Sequence, residues 1–395
     1  MTNPIGELNP PTRLMMTPGP CSIDPRVYRA LAMPIVGHLD PWFRGCMEET
    51  QVLMRQLFQT ENRVTFPLSA SGSGGIEASV LNSLEPGDEA ICCVNGLFSQ
   101  RMHVIAQHTP ATVHLVDVPY GKPVDAEDVR KAAKGRKIKM IGFAQGETSS
   151  GVLTAVDPIR QVADECGALL VVDTVASLAA VPLHVDKQRI DICFSGSQKA
   201  ISAPPGMSPI TVSSRAEEAF RNRKTKVQSW YFDLTTAMNY WGKDRLYHHT
   251  PPISLIYALR EAMRILLEEG LDPDRIVIGH ADSYPYLDYY LELLERGASV
   301  EFDFLGMRFS PVDEANEPRV LRLLLELLDR GHGEHLLLSQ DVCHTMQLTA
   351  FGGNGYTYLQ EKFLPRLRAA GADEATIAAL TVENPRRVLS LAGER

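Results

Sequence analysis

The sequence predicts an α/β chain built on a mostly parallel sheet, and three observations carry that expectation. From Ala78 onward, short apolar runs alternate with longer polar, helix-compatible stretches. The runs Ala90 to Val94, Thr112 to Val116, Lys139 to Phe143, Ala168 to Val172, Ile190 to Phe194 and Pro209 to Val212 each read as buried strands, which implies helices on both faces of the sheet. Polar and glycine-rich residues then follow the strands, at the carboxyl edge where open parallel sheets bind ligands.

Taken in order, residues 1–13 are rich in proline and asparagine and read as an extended arm. Ser69 to Gly75 is a Gly/Ser-rich turn opening a helix-compatible stretch from Ile76 to Leu84, and Asp157 to Cys166 reads as a later helix. Ala258 to Gly270 is a further helix, whose last part, 261–270, joins a unit over 14–260 to a C-terminal segment over 271–395. At 395 residues the chain is longer than one hydrophobic core usually organises.

Composition narrows the function classes. The hydrophobic fraction of 44% and charged fraction of 22% are those of an ordinary globular protein. A net charge of -9 argues against nucleic acid or an anionic membrane surface as the main partner, because both require a basic face. The most apolar run, Gly167 to Leu183, is interrupted by Asp173, so no spanning helix is expected, and no secretory signal opens the sequence. Seven cysteines without a paired C-x-x-C spacing read as reduced thiols, which points to a cytoplasmic protein; Cys92 and Cys93 fall on opposite sides of one strand.

Three strand ends carry chemistry. The Ser69 to Gly75 turn points free amides and a helix dipole at an anion such as phosphate, although a flexible turn has the same composition. Asp173 ends the apolar run Leu169 to Val172, where a helix N-cap is the plain alternative. Lys199 follows Ser195-Gly196-Ser197-Gln198, where a solvated surface lysine is the plain alternative. The pair says more than its members, because Asp173 and Lys199 lie about one strand-helix-strand unit apart and so at neighbouring strand ends. A pyridine cofactor needs an acid at its ring nitrogen, an amine for a Schiff base and a cradle for its phosphate, and these three positions supply them.

From about Leu14 to Arg260 the chain resembles the class V aminotransferases, nearest the alanine-glyoxylate and serine-pyruvate group. The resemblance rests on Thr17-Pro18-Gly19-Pro20, Ser71-Gly72-Ser73-Gly74, Leu84-Glu85-Pro86-Gly87-Asp88, Asn95-Gly96-Leu97-Phe98-Ser99-Gln100-Arg101, Gly146-Glu147-Thr148-Ser149-Ser150-Gly151, Val172-Asp173-Thr174-Val175-Ala176-Ser177, Ser195-Gly196-Ser197-Gln198-Lys199-Ala200 and Tyr247-His248-His249-Thr250-Pro251. It implies a fold-type I large domain that binds pyridoxal 5'-phosphate. Lys199 would hold the cofactor and shuttle the substrate's proton, and Asp173 would pair with the ring nitrogen. Phe98 would stack on the ring in place of the family's usual tryptophan, and Thr148 would bond the ring hydroxyl. Ser73, Gly74, Gly75 and Gln198 would bind phosphate, with Gly75 standing where relatives often carry histidine. Tyr247 and Thr250 would reach the phosphate of a partner subunit, which implies a homodimer. His248 and His249 read as polar packing at that contact.

After about Gly270 the aminotransferase pattern stops, and with it the arginine by which the family's small domain holds a substrate carboxylate. Asp272 to His280, Val300-Glu301-Phe302-Asp303, Leu336 to Asp341 and Thr381 to Arg387 instead resemble the end of the phosphotriesterase-like amidohydrolases. Those are (β/α)8 barrels with two metals, so a partial barrel of about three strand-helix units is implied. His280 and Asp341 would be remnant metal ligands, but the sequence contains no His-x-His pair to complete such a centre.

The function expected is pyridoxal-phosphate-dependent transfer of an amino group between a small amino acid, alanine or serine, and a 2-oxo acid, glyoxylate or pyruvate. The alternatives are a metal-dependent phosphotriesterase-like or lactonase-like hydrolase, and a cofactor-binding chimera impaired in turnover.

Overall fold

Parallel strands can be joined only by crossovers, usually helical, and the chain between Val64 and Val212 is built that way. The computed structural model describes residues 8–11, 15, 17–243, 245–269, 276–283, 285–307, 317–343 and 345–389. The strands of its first part are β1 (Val64–Leu68), β2 (Glu89–Val94), β3 (Thr112–Asp117), β4 (Ile138–Ala144), the short antiparallel pair β5 (Gly146–Glu147) and β6 (Val152–Leu153), then β7 (Leu169–Asp173), β8 (Ile192–Phe194) and β9 (Ser208–Val212). Among the described residues, seven of them form one sheet in the order β1-β9-β8-β7-β4-β2-β3. From β3 to β8 every pairing is parallel; β9 is antiparallel to both β8 and β1.

Every residue of β1, β7, β8 and β9 is buried, so this half of the sheet is covered on both faces. The expected strand at Thr112 to Val116 is a strand but not a buried one: β3 is the outer edge, its one partner is β2, and only Val116 is fully buried. β1 was not expected. Its Pro67 argues against a central strand, and it is accommodated because β1 lies at the opposite edge, with Pro67 facing Pro209 of β9.

The helices are α1 (Pro25–Leu31), α2 (Pro41–Phe58), α3 (Gly72–Ser83), α4 (Leu97–Gln107), α5 (Ala126–Ala133), α6 (Val156–Cys166), α7 (Ser214–Arg221), α8 (Leu234–Trp241) and α9 (Ile253–Glu269). Local chemistry sets their ends. Asp24 and Asp40 cap α1 and α2 by accepting the Arg26 and Trp42 amides, each with proline as the first helical residue. α6 stops at Gly167 in the left-handed conformation.

Beyond α9 run β10 (Val277–Ile278), α10 (Leu287–Glu295), β11 (Ser299–Phe302), α11 (Glu317–Asp329) and β12 (Leu336–Leu338). Their three strands make a parallel layer in the order β10-β11-β12. Tyr290, Phe302, Leu324, Leu336, Phe363 and Leu380 belong to a hydrophobic cluster of its own, distinct from the one under the seven-stranded sheet. Closure into a barrel is not seen: the described strands end in a three-stranded sheet, too few to curl back on themselves. The Asp272 to Arg275 part of the C-terminal motif lies outside the described residues, as does the N-terminal arm except for residues 8–11.

One buried ion pair ties the central strands together. Asp191 Oδ2 accepts from Arg160 Nη1 at 2.8 Å, from the Leu170 amide at 2.9 Å and from Arg215 Nη1 at 3.0 Å. The Arg160 side chain is only 3% exposed and its Nη2 also pairs with Asp164 Oδ1 at 2.8 Å, so losing Asp191 would leave one side of a buried cation and the Leu170 amide unmatched. Asp191→Ala is expected to lower the unfolding free energy in urea by roughly 1–3 kcal/mol.

Candidate functional site

Asp173 is the last residue of β7, and Lys199 follows the Ser195 to Gln198 turn after β8, so parallel pairing of the two strands brings both to the carboxyl edge. Asp173 Oδ1 accepts the Val175 amide at 2.8 Å. Burial pushes this carboxyl up to about 7, against the Val175 bond and the charges of Lys199 and Arg101. Lys199 is moved the other way: burial lowers its amine, and Asp173 is the first of the charges that resist. A buried acid and a partly buried amine therefore stand at adjoining strand ends with their charged forms disfavoured. Above them the Thr17 to Pro20 loop closes tightly. Gly19 has φ +93°, and a Cβ there would stand 2.4 Å from the Gln198 carbonyl oxygen, so neither the turn nor the space admits another residue.

The remaining expected residues gather round this pair. Lys199 Nζ lies 5.7 Å from the centre of the Phe98 ring, and the Arg101 guanidinium lies 5.0 Å from the same centre. Arg101 Nη1 also donates to Ser73 Oγ at 2.7 Å, which links the ring to the first turn of α3. Gly72 and Ser73 are the first residues of that helix, whose amides have no intrahelical acceptor. Gly74 and Gly75 stand differently: both amides donate to the Ser71 carbonyl, at 2.9 and 3.3 Å. A Cβ on Gly75 would meet Ser208 Oγ at 2.3 Å and the Phe194 ring at 2.9 Å, so the histidine of relatives has no room there. The Gln198 Oε1 atom is buried and without a partner.

Two residues of the site were not singled out from sequence. Arg101 could have been, since it sits three residues after Phe98 and so on the same face of α4. Glu147 could not, because its partners come from another element. Its carboxylate accepts the Phe98 amide (3.3 Å), the Ser99 amide (2.8 Å), Ser99 Oγ (2.9 Å), the Ser149 amide (3.1 Å) and Ser149 Oγ (2.8 Å). It is 1% exposed and lies against the open N-terminus of α4, where free amides and the helix dipole stabilise an anion. Glu147 thus holds the turn that presents Phe98.

Tyr247 is 59% exposed and its hydroxyl lies 3.2 Å from Thr250 Oγ1. The neighbouring histidines are engaged within their own chain: His249 Nε2 lies 2.6 Å from Ser69 Oγ, and His248 stacks on Trp230 with ring centres 4.6 Å apart. Burial, with His248 beside it, pushes His249 down to about 4, so it is a neutral bridge to the phosphate-side loop.

In the C-terminal part, His280 lies near enough to Asp341 to feel its charge, and its Nδ1 pairs with Asp303. Its backbone is in the left-handed region at φ +55°, held there because its amide and Nδ1 both bond the Asp303 carboxylate at 3.0 Å. Burial pulls the His280 imidazole down, and the Asp303 bond with the charges of Asp303, Asp341 and Asp282 more than offsets this, leaving it raised. Burial, followed by the charge of Asp303, pushes Glu301 up to about 7. Among the described residues, no group of three or more His, Cys, Asp or Glu side chains is arranged to hold a metal ion.

A cleft of about 970 Å³ opens beside Lys199 and Thr148. One wall is the Thr17 to Asp24 loop and the β5–β6 ribbon; the facing wall is the end of α9 with Ile276 to His280, Tyr289 and Leu293. Asp173, Phe98 and the first turn of α3 lie outside its lining, so the cleft meets the cofactor-type residues at Lys199 and Thr148 rather than enclosing them.

The sequence model of the aminotransferase class-V family matches residues 28–283. The chain belongs to the class-V aminotransferases. It is 37% identical over 287 residues to the (S)-ureidoglycine--glyoxylate transaminase of Bacillus subtilis (strain 168), covering 67% of this chain and 68% of that one. With the alanine--glyoxylate aminotransferase of Callithrix jacchus it shares 38% over 268 residues, covering 67% of this chain and 65% of the relative, slightly under two thirds of its length. A crystal structure of alanine--glyoxylate aminotransferase from Nostoc sp. superposes with a TM-score of 0.67 at 38% identity, covering 73% of this chain and 74% of that one. The sheet is accordingly that of a fold-type I pyridoxal-phosphate transferase. The Phosphotriesterase family model matches residues 248–389, and the two matches overlap on α9 and the segment after it.

Pyridoxal phosphate is the cofactor of this family, and the residues present suit it. The Asp173 carboxyl, charged only with difficulty by itself, suits a protonated ring nitrogen; the partnerless Gln198 Oε1 and the free first-turn amides of α3 leave polar groups for the rest. A consequence can be measured without the cofactor. Asp173 is raised from 3.8 to about 7 on folding, so the acid form stabilises the fold below about pH 4, and that contribution is lost as pH rises through 7. Cofactor-free Asp173→Asn should therefore match wild type in denaturant unfolding near pH 4 and exceed it at pH 8, by on the order of 4 kcal/mol.

Proposed function

We propose that the chain transfers an amino group between a small amino acid, alanine or serine, and a 2-oxo acid, glyoxylate or pyruvate, with pyridoxal phosphate as cofactor. The observation that carries this reading is the parallel pairing of β7 and β8, which sets the buried Asp173 carboxyl and the Lys199 amine at adjoining strand ends. Bound pyridoxal phosphate supplies an electron sink that acidifies the α-hydrogen of an amino acid and stores the amino group between half-reactions.

The side chains divide the remaining work. Asp173 holds a proton at the ring nitrogen, in a site dry enough for the pair to be strong. Lys199, its amine depressed by burial, takes the α-proton at Nζ and returns it at the other end of the transfer. Phe98, whose backbone amide Glu147 accepts, would offer its ring as a stacking face for the cofactor. Thr148 serves the ring hydroxyl. Ser73 with Gly72 at the start of α3, and Gln198, would serve the phosphate, with Gly74 and Gly75 shaping the turn beneath it, and Arg101 adds a cation at Ser73. Tyr247 and Thr250 serve the phosphate of a second copy in a homodimer. The exposed apolar side chains Ile35, Leu39, Trp42 and Leu246 favour such a partner surface.

We further read the large unit as 14–260 and the C-terminal segment as 271–395, the latter the tail of a phosphotriesterase-type barrel; two separate hydrophobic clusters and the second family match support this. A reducing cytoplasm suits seven free cysteines, and no helix among the described residues is long and apolar enough to cross a membrane. A hydrolase reading has no comparable support, since among the described residues no group of three or more His, Cys, Asp or Glu side chains is arranged to hold a metal ion.

Absorbance spectroscopy tests the assignment. Adding pyridoxal phosphate should produce a visible band in the wild type that is missing in Lys199→Ala, and alanine or serine should convert it to the pyridoxamine form. A band indifferent to every amino acid would leave a cofactor site without transamination.

A further inference from the structure

Glu147 and Ser149 stand on either side of Thr148 in the chain, and both reach the start of α4. One Glu147 oxygen accepts the Phe98 amide, the Ser149 amide and Ser149 Oγ; the other accepts the Ser99 amide and Ser99 Oγ. All five donors are neutral, so hydrogen bonds and the helix dipole, not an ion pair, hold this buried carboxylate. Ser149 Oγ has a second attachment, since it accepts the Leu97 amide at 2.9 Å. The approach is close enough to require glycine at the entry to the helix: a Cβ on Gly96 would lie 2.3 Å from Glu147 Cγ and 2.6 Å from Ser149 Oγ. The chain on both sides of Thr148 is therefore fastened to the turn that carries Phe98, whose ring centre lies 5.7 Å from Lys199 Nζ.

We propose that Glu147 is a positioning residue that locks Phe98 and Thr148 together, so that the groups assigned to the face and to the hydroxyl of the pyridine ring act as one unit. This rests on the cofactor contacts of the reading given above, and adds that neither contact is set by its own segment alone. The lock requires a carboxylate. Every group bonded to Glu147 is a donor, so a glutamine there would turn its NH2 against one of them. Two donors facing each other in a buried site forfeit a charge-assisted bond, which corresponds to about tenfold or more in cofactor affinity where the ring contacts move with it.

Equilibrium titration of the full chain with pyridoxal phosphate, read by the visible band and its circular dichroism, tests the lock. Glu147→Gln should weaken binding by about tenfold or more and reduce the dichroism, which reports how the ring is held. Ser149→Ala removes one tie but leaves the carboxylate, whose charge acts on Asp173 and Lys199, in place; it should weaken binding by about three- to tenfold. In a Phe98→Ala/Thr148→Ala background, Ser149→Ala should add less than about twofold, because the contacts it acts through are gone. Wild-type affinity and dichroism in Glu147→Gln or in Ser149→Ala, or a Ser149→Ala penalty as large in that background as in wild type, overturn the inference. If Glu147→Gln does not fold, the Ser149→Ala comparison decides alone. Coupled losses of this kind, with no amino acid converting the bound cofactor, leave the lock standing and remove the transamination reading; a wild type without a Lys199-dependent band removes both.

Discussion

A carboxylate set at the end of a strand whose every residue is buried has almost no water to stabilise its charge, and Asp173 is in that position. The rest of the site is arranged around the difficulty. The turn after the neighbouring strand delivers an amine that burial also disfavours as a cation. Strand order is what makes this possible. Because β7 and β8 are parallel neighbours, their carboxyl ends share one edge, and the Asp191 to Arg160 pair with the Leu170 amide ties the segment entering β8 to β7.

A second layer of anions and cations sets the geometry of the first. Glu147 spends its carboxylate on amides and hydroxyls around the start of α4 and so orients Phe98, while Arg101, on the same helix face, reaches back to Ser73 at the start of α3. Two helix N-termini are thereby used differently. That of α4 is closed by a protein carboxylate, whereas that of α3 has no side-chain cap. Residues after α9 enter through contact: the His280 carbonyl abuts Gly151, and Ile276 to His280 with Tyr289 and Leu293 line the cleft beside Lys199.

Much of the fold was legible along the chain because strands buried on both faces are short apolar runs, and five of the six runs read as buried are so in the sheet. The sixth, at Thr112, shows the limit. An edge strand and a central strand have similar compositions, and which one a run becomes is settled by how many neighbours it acquires. β1 was missed for the converse reason, since Pro67 is excluded from a sheet interior but tolerated at its margin. The glycine cradle was read too generously: Gly74 and Gly75 turn their amides to Ser71, and Gly75 makes room for Ser208 and Phe194 rather than for a ligand.

By itself the sequence determined the resemblance to the class-V aminotransferases and pointed to an acid, an amine and a small-residue turn at strand ends, because these are requirements local to a few positions each. It also carried the phosphotriesterase-like pattern of the C-terminal third, where that family's model matches residues 248–389. Only the tertiary structure decided that Glu147 caps α4, that His280 is bound to Asp303, and that Tyr289 and Leu293 face the cleft beside Lys199. Each of those depends on segments far apart in the chain meeting at a surface. Such meetings are governed by the fit of whole packed faces, which no single stretch of sequence encodes.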